Sequence, residues 1–129
     1  MRTVVTFGTF DLFHVGHLRI LKRAYELGDR LVVGISSDDL TLRKKGKTPV
    51  HSYMERSEIV SSIQYVNDFF VEEELSLKRE YLLAHKADIL VMGDDWKGNF
   101  DEFGDICEVI YLPRTPSIST TMLIEKIKT

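Results

Sequence analysis

The sequence is short of several things, and each shortage excludes something. It holds one cysteine, Cys107, among 129 residues. A single thiol forms no intrachain disulfide and builds no Cys-rich zinc site. No apolar run approaches the roughly 18 residues of a membrane-spanning helix, and the start, Met1-Arg2-Thr3-Val4-Val5-Thr6, has no signal-peptide apolar core. A cytoplasmic protein with no membrane partner is expected. Positive charge is not in excess, since 17 Lys and Arg face 20 Asp and Glu, for a net charge of −3. Nucleic-acid binding calls for a broad basic face with stacking aromatics. This chain has one short basic run, so no nucleic-acid partner is expected. Repeats, low-complexity tracts and Pro/Gly/Ser-rich linkers are missing as well. What remains suits one soluble domain spanning 1–129, with 43% hydrophobic and 29% charged residues.

Two kinds of segment alternate along the chain. Short, nearly continuous apolar runs at 3–7, 31–35, 68–71, 89–92 and 109–112 predict strands buried on both faces. Segments with helical spacing lie between them. One runs over 17–27, with Gly28 as a stop signal. Ser52 followed by Glu55 predicts a capping box that opens a helix through Ile63. A third helix is expected over 76–85 with Leu77, Tyr81, Leu82 and Leu83 inward, and a last one over 119–127. The stretch 100–106 has room for a short extra turn. Such alternation predicts an α/β fold: a Rossmann-like, doubly wound sheet of about five parallel strands with helices on both faces. Ligands of such sheets sit beyond the carboxyl ends of the strands. The polar, Gly-containing clusters do follow strands, at 8–17, 36–39, 93–96 and 113–121. The loops of the opposite rim, Gly28-Asp29 and Ala87-Asp88, are short and plain.

The first cluster carries the sharpest signal. His14 and His17 flank Gly16 where a helix should begin. A helix start offers free N–H groups and the positive end of the dipole, which suits an anion. Two imidazoles add donors, and Gly8 and Gly16 allow close backbone approach. A phosphate pocket follows. It is neither a Walker loop nor a Gly-x-Gly-x-x-Gly loop. Two plainer roles for the histidines are helix caps and a metal pair, the latter without a third nearby His or Cys.

His14-Val15-Gly16-His17 after Gly8-Thr9-Phe10-Asp11 resembles the His-x-Gly-His signature of the nucleotidyltransferase superfamily. Arg114-Thr115 with Ile118-Ser119-Thr120-Thr121 resembles the second signature of its cytidylyltransferase branch, and Gly93-Asp94-Asp95-Trp96 matches the loop between them. Length and spacing are most like the bacterial glycerol-3-phosphate cytidylyltransferases. The resemblance implies transfer of CMP from CTP to a phosphorylated small alcohol, with CDP-glycerol and pyrophosphate as products. The partners implied are CTP, the acceptor and a second copy in a homodimer. Teichoic-acid-type polymer synthesis would consume such a product. His14 and His17 would donate to oxygens around the α-phosphate, and Mg²⁺ would bridge CTP oxygens, with Asp11 as its carboxylate or, more plainly, as a turn cap.

The resemblance also implies the remaining roles. Gly8, Thr9, Phe10, Asp11, Gly93, Asp94, Asp95, Arg114, Thr115, Ser119 and Thr120 would surround the nucleotide, with Arg114 also catalytic. Arg114 can grip phosphate bidentately, and Ser119 or Thr120 would start the last helix, or simply cap it. The basic run Arg43-Lys44-Lys45-Gly46-Lys47 would be a mobile loop over the site. Its catalytic lysine is Lys44, with a second at Lys45 or Lys47; the plain alternative is a solvated loop. Asp38, Lys44, Lys47, Arg56 and Lys78 would hold the acceptor, or Arg56 would pair with Glu55 or Glu58 on the surface. Asp94, Asp95 and Trp96 would meet ribose and base, or form a structural turn.

The chain also departs from the family pattern. It has Gln64-Tyr65-Val66-Asn67 where glycerol-phosphate members often carry Arg-Tyr-Val-Asp, Leu75 where a tryptophan is expected, and Ser117 for a glycine. The first two positions bear on the acceptor or the dimer, so other acceptors such as ethanolamine phosphate stay open. So do ATP as the nucleotide and, on fold alone, a non-catalytic nucleotide-binding module.

Overall fold

The computed structural model describes residues 1–113 together with 124 and 127. The helix expected over 119–127 lies outside the described residues, as do Arg114, Thr115, Ser119 and Thr120. Strands β1 (Thr3–Gly8), β2 (Arg30–Ser36), β3 (Asp68–Glu72), β4 (Ile89–Gly93) and β5 (Glu108–Leu112) form one sheet in the order β3-β2-β1-β4-β5. Every pairing is parallel. Helices α1 (Val15–Tyr25), α2 (Asp38–Lys45), α3 (Tyr53–Ser61) and α4 (Lys78–Ala84) connect the first four strands. Between β4 and β5 there are only 3₁₀ turns, at Asp94–Trp96 and Asp101–Asp105.

The period of two along each strand builds two cores. Val4, Leu31, Val33, Ile35, Ile89 and Val91 face α1 and α3, meeting Leu21, Ala24 and Val60. Val5, Phe7, Val32, Leu90 and Met92 face the other way, onto Leu82 of α4 and Phe103. β1, β2 and β4 are buried on both faces, as their sequences predict. β3 and β5 are partly exposed because they form the two edges of the sheet. The plain loops of the far rim cap β1: Asp29 accepts from the backbone N–H of Arg2, and Asp88 from that of Thr3, both at 2.8 Å.

Three local expectations change. α2 replaces the loop expected over 36–47. Ser37 caps it by accepting from the Leu40 N–H at 3.0 Å, Asp38 and Asp39 fill its first turn, and Gly46 closes it at φ 76°. Gly28 is not a left-handed helix stop. A Cβ there would lie 2.7 Å from the Arg2 carbonyl oxygen, so close chain approach is what demands glycine. On α4, Leu82 is buried, but Leu83 is 56% exposed and Leu77, just before the helix, 40%; the inward place belongs to Lys78.

Gly34 in mid-β2 is a packing requirement. A Cβ there would sit 2.6 Å from Phe7 Cδ1 and 2.7 Å from Phe70 Cζ, two rings packed edge to face. Gly34→Ala is expected to destabilise the fold by about 1–3 kcal/mol through overpacking. A lowered urea midpoint with unchanged m would show it.

Candidate active site

β1 ends in a loop held in an unusual backbone. Phe10 and Leu12 adopt φ 56° and 48°, in the left-handed region that bulky residues seldom occupy. Gly8 makes room for this: a Cβ there would lie 2.8 Å from the Phe10 ring. The glycine thus makes room for the ring, in addition to the backbone approach to a ligand that the sequence suggested. Phe10 and Phe13 then pack around His17, with centroids 5.5 and 5.2 Å away.

His14 is the N-cap of α1, and the two histidines satisfy the first turn reciprocally. The Gly16 N–H donates to His14 Nδ1 at 3.0 Å, and the His14 N–H to His17 Nδ1 at 3.2 Å. Their rings stack at 3.9 Å between centroids. The capping role is therefore real, and it prepares the chemistry. With both Nδ1 atoms accepting, the proton of each neutral ring belongs on Nε2. Burial pushes the His17 pKa down to about 3, with His14 and Lys45 adding to the shift and Asp11 opposing it. His17 is a neutral donor at pH 7.

A cavity of about 450 Å³ opens over the ends of β1 and β4. The chain order reverses between these two strands, the position where open α/β sheets bind ligands. Of the expected residues, Gly8, Thr9, Phe10, Asp11, His17, Lys44, Lys78 and Gly93 line it. Lys45 joins them and Lys47 does not, because α2 turns 44 and 45 inward before Gly46 ends it. Lys44 Nζ donates to Ser36 Oγ at 2.9 Å. Burial of the ammonium groups lowers the pKa of Lys44, Lys45 and Lys78. Leu75 and Trp96, both named from sequence, line it too, whereas Glu72, Asn99, Phe100 and Phe103 of the far wall were not singled out. Asp94 and Asp95 lie in the adjoining 3₁₀ turn, outside this lining.

Arg56 is no acceptor ligand in this geometry. It is 0% exposed and does not line the cavity. Its guanidinium donates to Thr9 O at 2.7 Å, Ser36 O at 2.9 Å, His51 O at 3.0 Å and Asp38 Oδ1 at 2.7 Å. Asp38 is thereby also held by the protein. Asn67 keeps a structural bond at its divergent position, its Oδ1 accepting from the Leu31 N–H at 2.8 Å.

Asp11 faces the cavity while anchoring the segment before α3. Its oxygens accept the N–H groups of Val50 at 2.7 Å and His51 at 2.9 Å. Among the described residues, no three His, Cys, Asp or Glu gather as a metal cage. Mg²⁺ rarely needs one, since it takes one or two carboxylates plus substrate phosphates and water. A carboxylate oxygen accepts more than one bond, so Asp11 fits as a single ligand for an ion carried on a polyphosphate.

The low His17 pKa has a stability consequence. Unfolded, the ring takes a proton near pH 6.5; folded, it resists until about pH 3. Its contribution is intact above 6.5 and is lost progressively as pH falls through that window. From pH 7 to 4.5 the loss should be about 2.5 kcal/mol. Urea midpoints should therefore fall more steeply with acid for the wild type than for His17→Gln.

A helix mouth whose His17 shares a cavity with Lys44, Lys45 and Lys78 at the switch point of a parallel sheet defines a nucleotidyl-transferring α/β protein; His14 stacks on His17 but is not part of the cavity lining. The comparisons agree with that class. The chain belongs to the cytidylyltransferase-like family, whose model matches residues 5–126. It is 49% identical over 127 residues to glycerol-3-phosphate cytidylyltransferase of Bacillus subtilis (strain 168), covering 98% of each chain. It is 41% identical to the Staphylococcus aureus (strain NCTC 8325 / PS 47) enzyme of the same name, covering 98% of this chain and 96% of that one. Among solved structures, a lipopolysaccharide core biosynthesis protein from Thermoplasma volcanium GSS1 superposes with a TM-score of 0.78 at 26% identity. That match covers 89% of this chain and 98% of the other.

Proposed function

We propose that the protein is a CTP:glycerol-3-phosphate cytidylyltransferase. A phosphomonoester oxygen of the acceptor attacks the α-phosphorus of CTP. The new P–O bond gives CDP-glycerol, and the bond to the β-phosphate breaks to release pyrophosphate. The attacking oxygen is already an anion, so no general base is needed. The barrier lies in joining two polyanions, which makes catalysis a matter of position and charge. One observation carries this: His17, a neutral Nε2 donor, shares a cavity with Lys44, Lys45 and Lys78. His17 and His14 donate to the α-phosphate as charge develops. The lysines balance the incoming phosphates. Asp11 would hold magnesium, which neutralises triphosphate charge when bound.

Leu75 keeps a second reading open for the acceptor. It lines the cavity where the family pattern expects tryptophan, so another phosphorylated alcohol such as ethanolamine phosphate is the alternative. Pyrophosphate release with CTP or ATP against a set of phosphorylated alcohols decides between them, with CDP-glycerol identified by mass. A rate with sn-glycerol 3-phosphate no better than with the others would remove the named acceptor. Arg114, Thr115, Ser119 and Thr120 are proposed to bind the nucleotide, as the resemblance of their segment to the second cytidylyltransferase signature suggests. A homodimer in the cytoplasm is proposed, to be checked by light scattering on the eluting protein. No helix among the described residues is long and apolar enough to cross a membrane.

A further inference from the structure

Glu72 is the last residue of β3 and Glu73 and Glu74 follow it, but the three have separate fates. Glu73 and Glu74 are exposed, with Glu74 paired to Arg43. Glu72 is 1% exposed and lines the cavity. Its Oε2 lies 2.7 Å from Nζ of Lys78, which is 5% exposed. The ammonium also sits 3.7 Å from the Phe7 ring centroid and 5.3 Å from that of Phe100. One carboxylate and two ring faces thus fix the lysine in the cavity wall.

We propose that Glu72 is a positioning residue for the acceptor phosphate, holding Lys78 so that its ammonium meets the incoming phosphomonoester. The inference rests on the cytidylyltransferase reading. Two buried charges in contact gain little stability over a neutral pair of similar shape. A pair that served packing alone would have no need to line the cavity. Glu72 also faces Lys44 from α2, favouring the charged form of both lysines against burial, while Lys45, Lys78 and Arg56 oppose the charge on Lys44. A single carboxylate therefore sustains two cations in the cavity that His17 also lines. Of the ammonium's three donors, Glu72 takes one hydrogen bond.

The test uses Glu72→Gln, which keeps the shape, and the double variant Glu72→Gln/Lys78→Met, which removes both charges. KM for CTP, KM for the acceptor, the pH profile and the melting temperature are measured for each. Glu72→Gln should raise the acceptor KM at least about tenfold and leave the CTP KM within about twofold, the cost of a misplaced charged contact. Its alkaline limb of acceptor kcat/KM should move to lower pH. The double variant should regain melting temperature without regaining acceptor KM. If the two KM values move together, or if acceptor KM returns with stability in the double variant, the pair is only structural and the proposal fails. Should Glu72→Gln not fold, the double variant decides alone. A wild type that turns over no phosphorylated alcohol removes the functional reading and this inference together. A normal wild type with unchanged Glu72→Gln kinetics removes the inference alone.

Discussion

His17→Ala is expected to fold and to lose about 10²–10³-fold in kcat, the usual cost of deleting one donor to a developing oxyanion. Two losses must be separated. His17 accepts the His14 N–H at 3.2 Å, so the variant also loses half of the capping box of α1. A lost cap costs about 1 kcal/mol and lowers the melting temperature of a chain this size by roughly 4 °C. That leaves nearly every molecule folded at 25 °C and cannot account for a thousandfold rate loss. His17→Gln should recover part of the rate, because an amide both donates and accepts. With His17 neutral, its donor role also requires no protonation near pH 7. The measurement is kcat at saturating CTP beside a thermal melt. Unchanged kcat in His17→Ala would defeat the assignment of the helix mouth to the reacting phosphate.

The strands were legible because a parallel sheet with helices on both faces buries strands as apolar runs, and all five lie within a residue of their expected positions. The capping box Ser52/Glu55 was equally plain. α2 was hidden because it carries almost no apolar stripe: of its eight residues only Leu40 and Thr41 are buried. Its signals are chemical rather than periodic, namely Ser37, the acidic first turn, the basic last turn and Gly46. Leu77 and Leu83 misled because periodicity shows a face but not the width of what covers it.

The site divides along the same line. The phosphate end was legible, since glycines, histidines and a helix start stand together within ten residues of chain. The far wall is assembled from β3, α4 and the turns before β5, which no local pattern joins. Glu72 shows the difficulty. Between Val71 and Glu73-Glu74 it has the sequence of a surface acid, and only the pairing of β3 with β2 and the approach of α4 bury it. Arg56 was misassigned for the opposite reason. An arginine early in a helix near a phosphate site suggests a ligand, whereas its acceptors are backbone carbonyls far apart in the chain.

Those carbonyls make Arg56 the site of the largest expected stability loss. Arg56→Ala should cost about 3–5 kcal/mol, since it strips a buried pair and leaves carbonyl oxygens without their donor. That is a large share of the roughly 5–15 kcal/mol that holds a typical domain folded. The groups it fastens belong to three segments: Thr9 after β1, Ser36 at the end of β2 with Asp38 in α2, and His51 before α3. Lysine should rescue poorly, because an ammonium has three donors and lacks the planar fork that reaches these acceptors together. Loosened segments carry Asp11 contacts and Lys44 alike, so both KM values should rise together in whatever fraction stays folded. A direct acceptor ligand would act otherwise, raising the acceptor KM alone with an unchanged urea midpoint. That pattern in Arg56→Lys would return Arg56 to the acceptor site and end its role as the fastener of the rim.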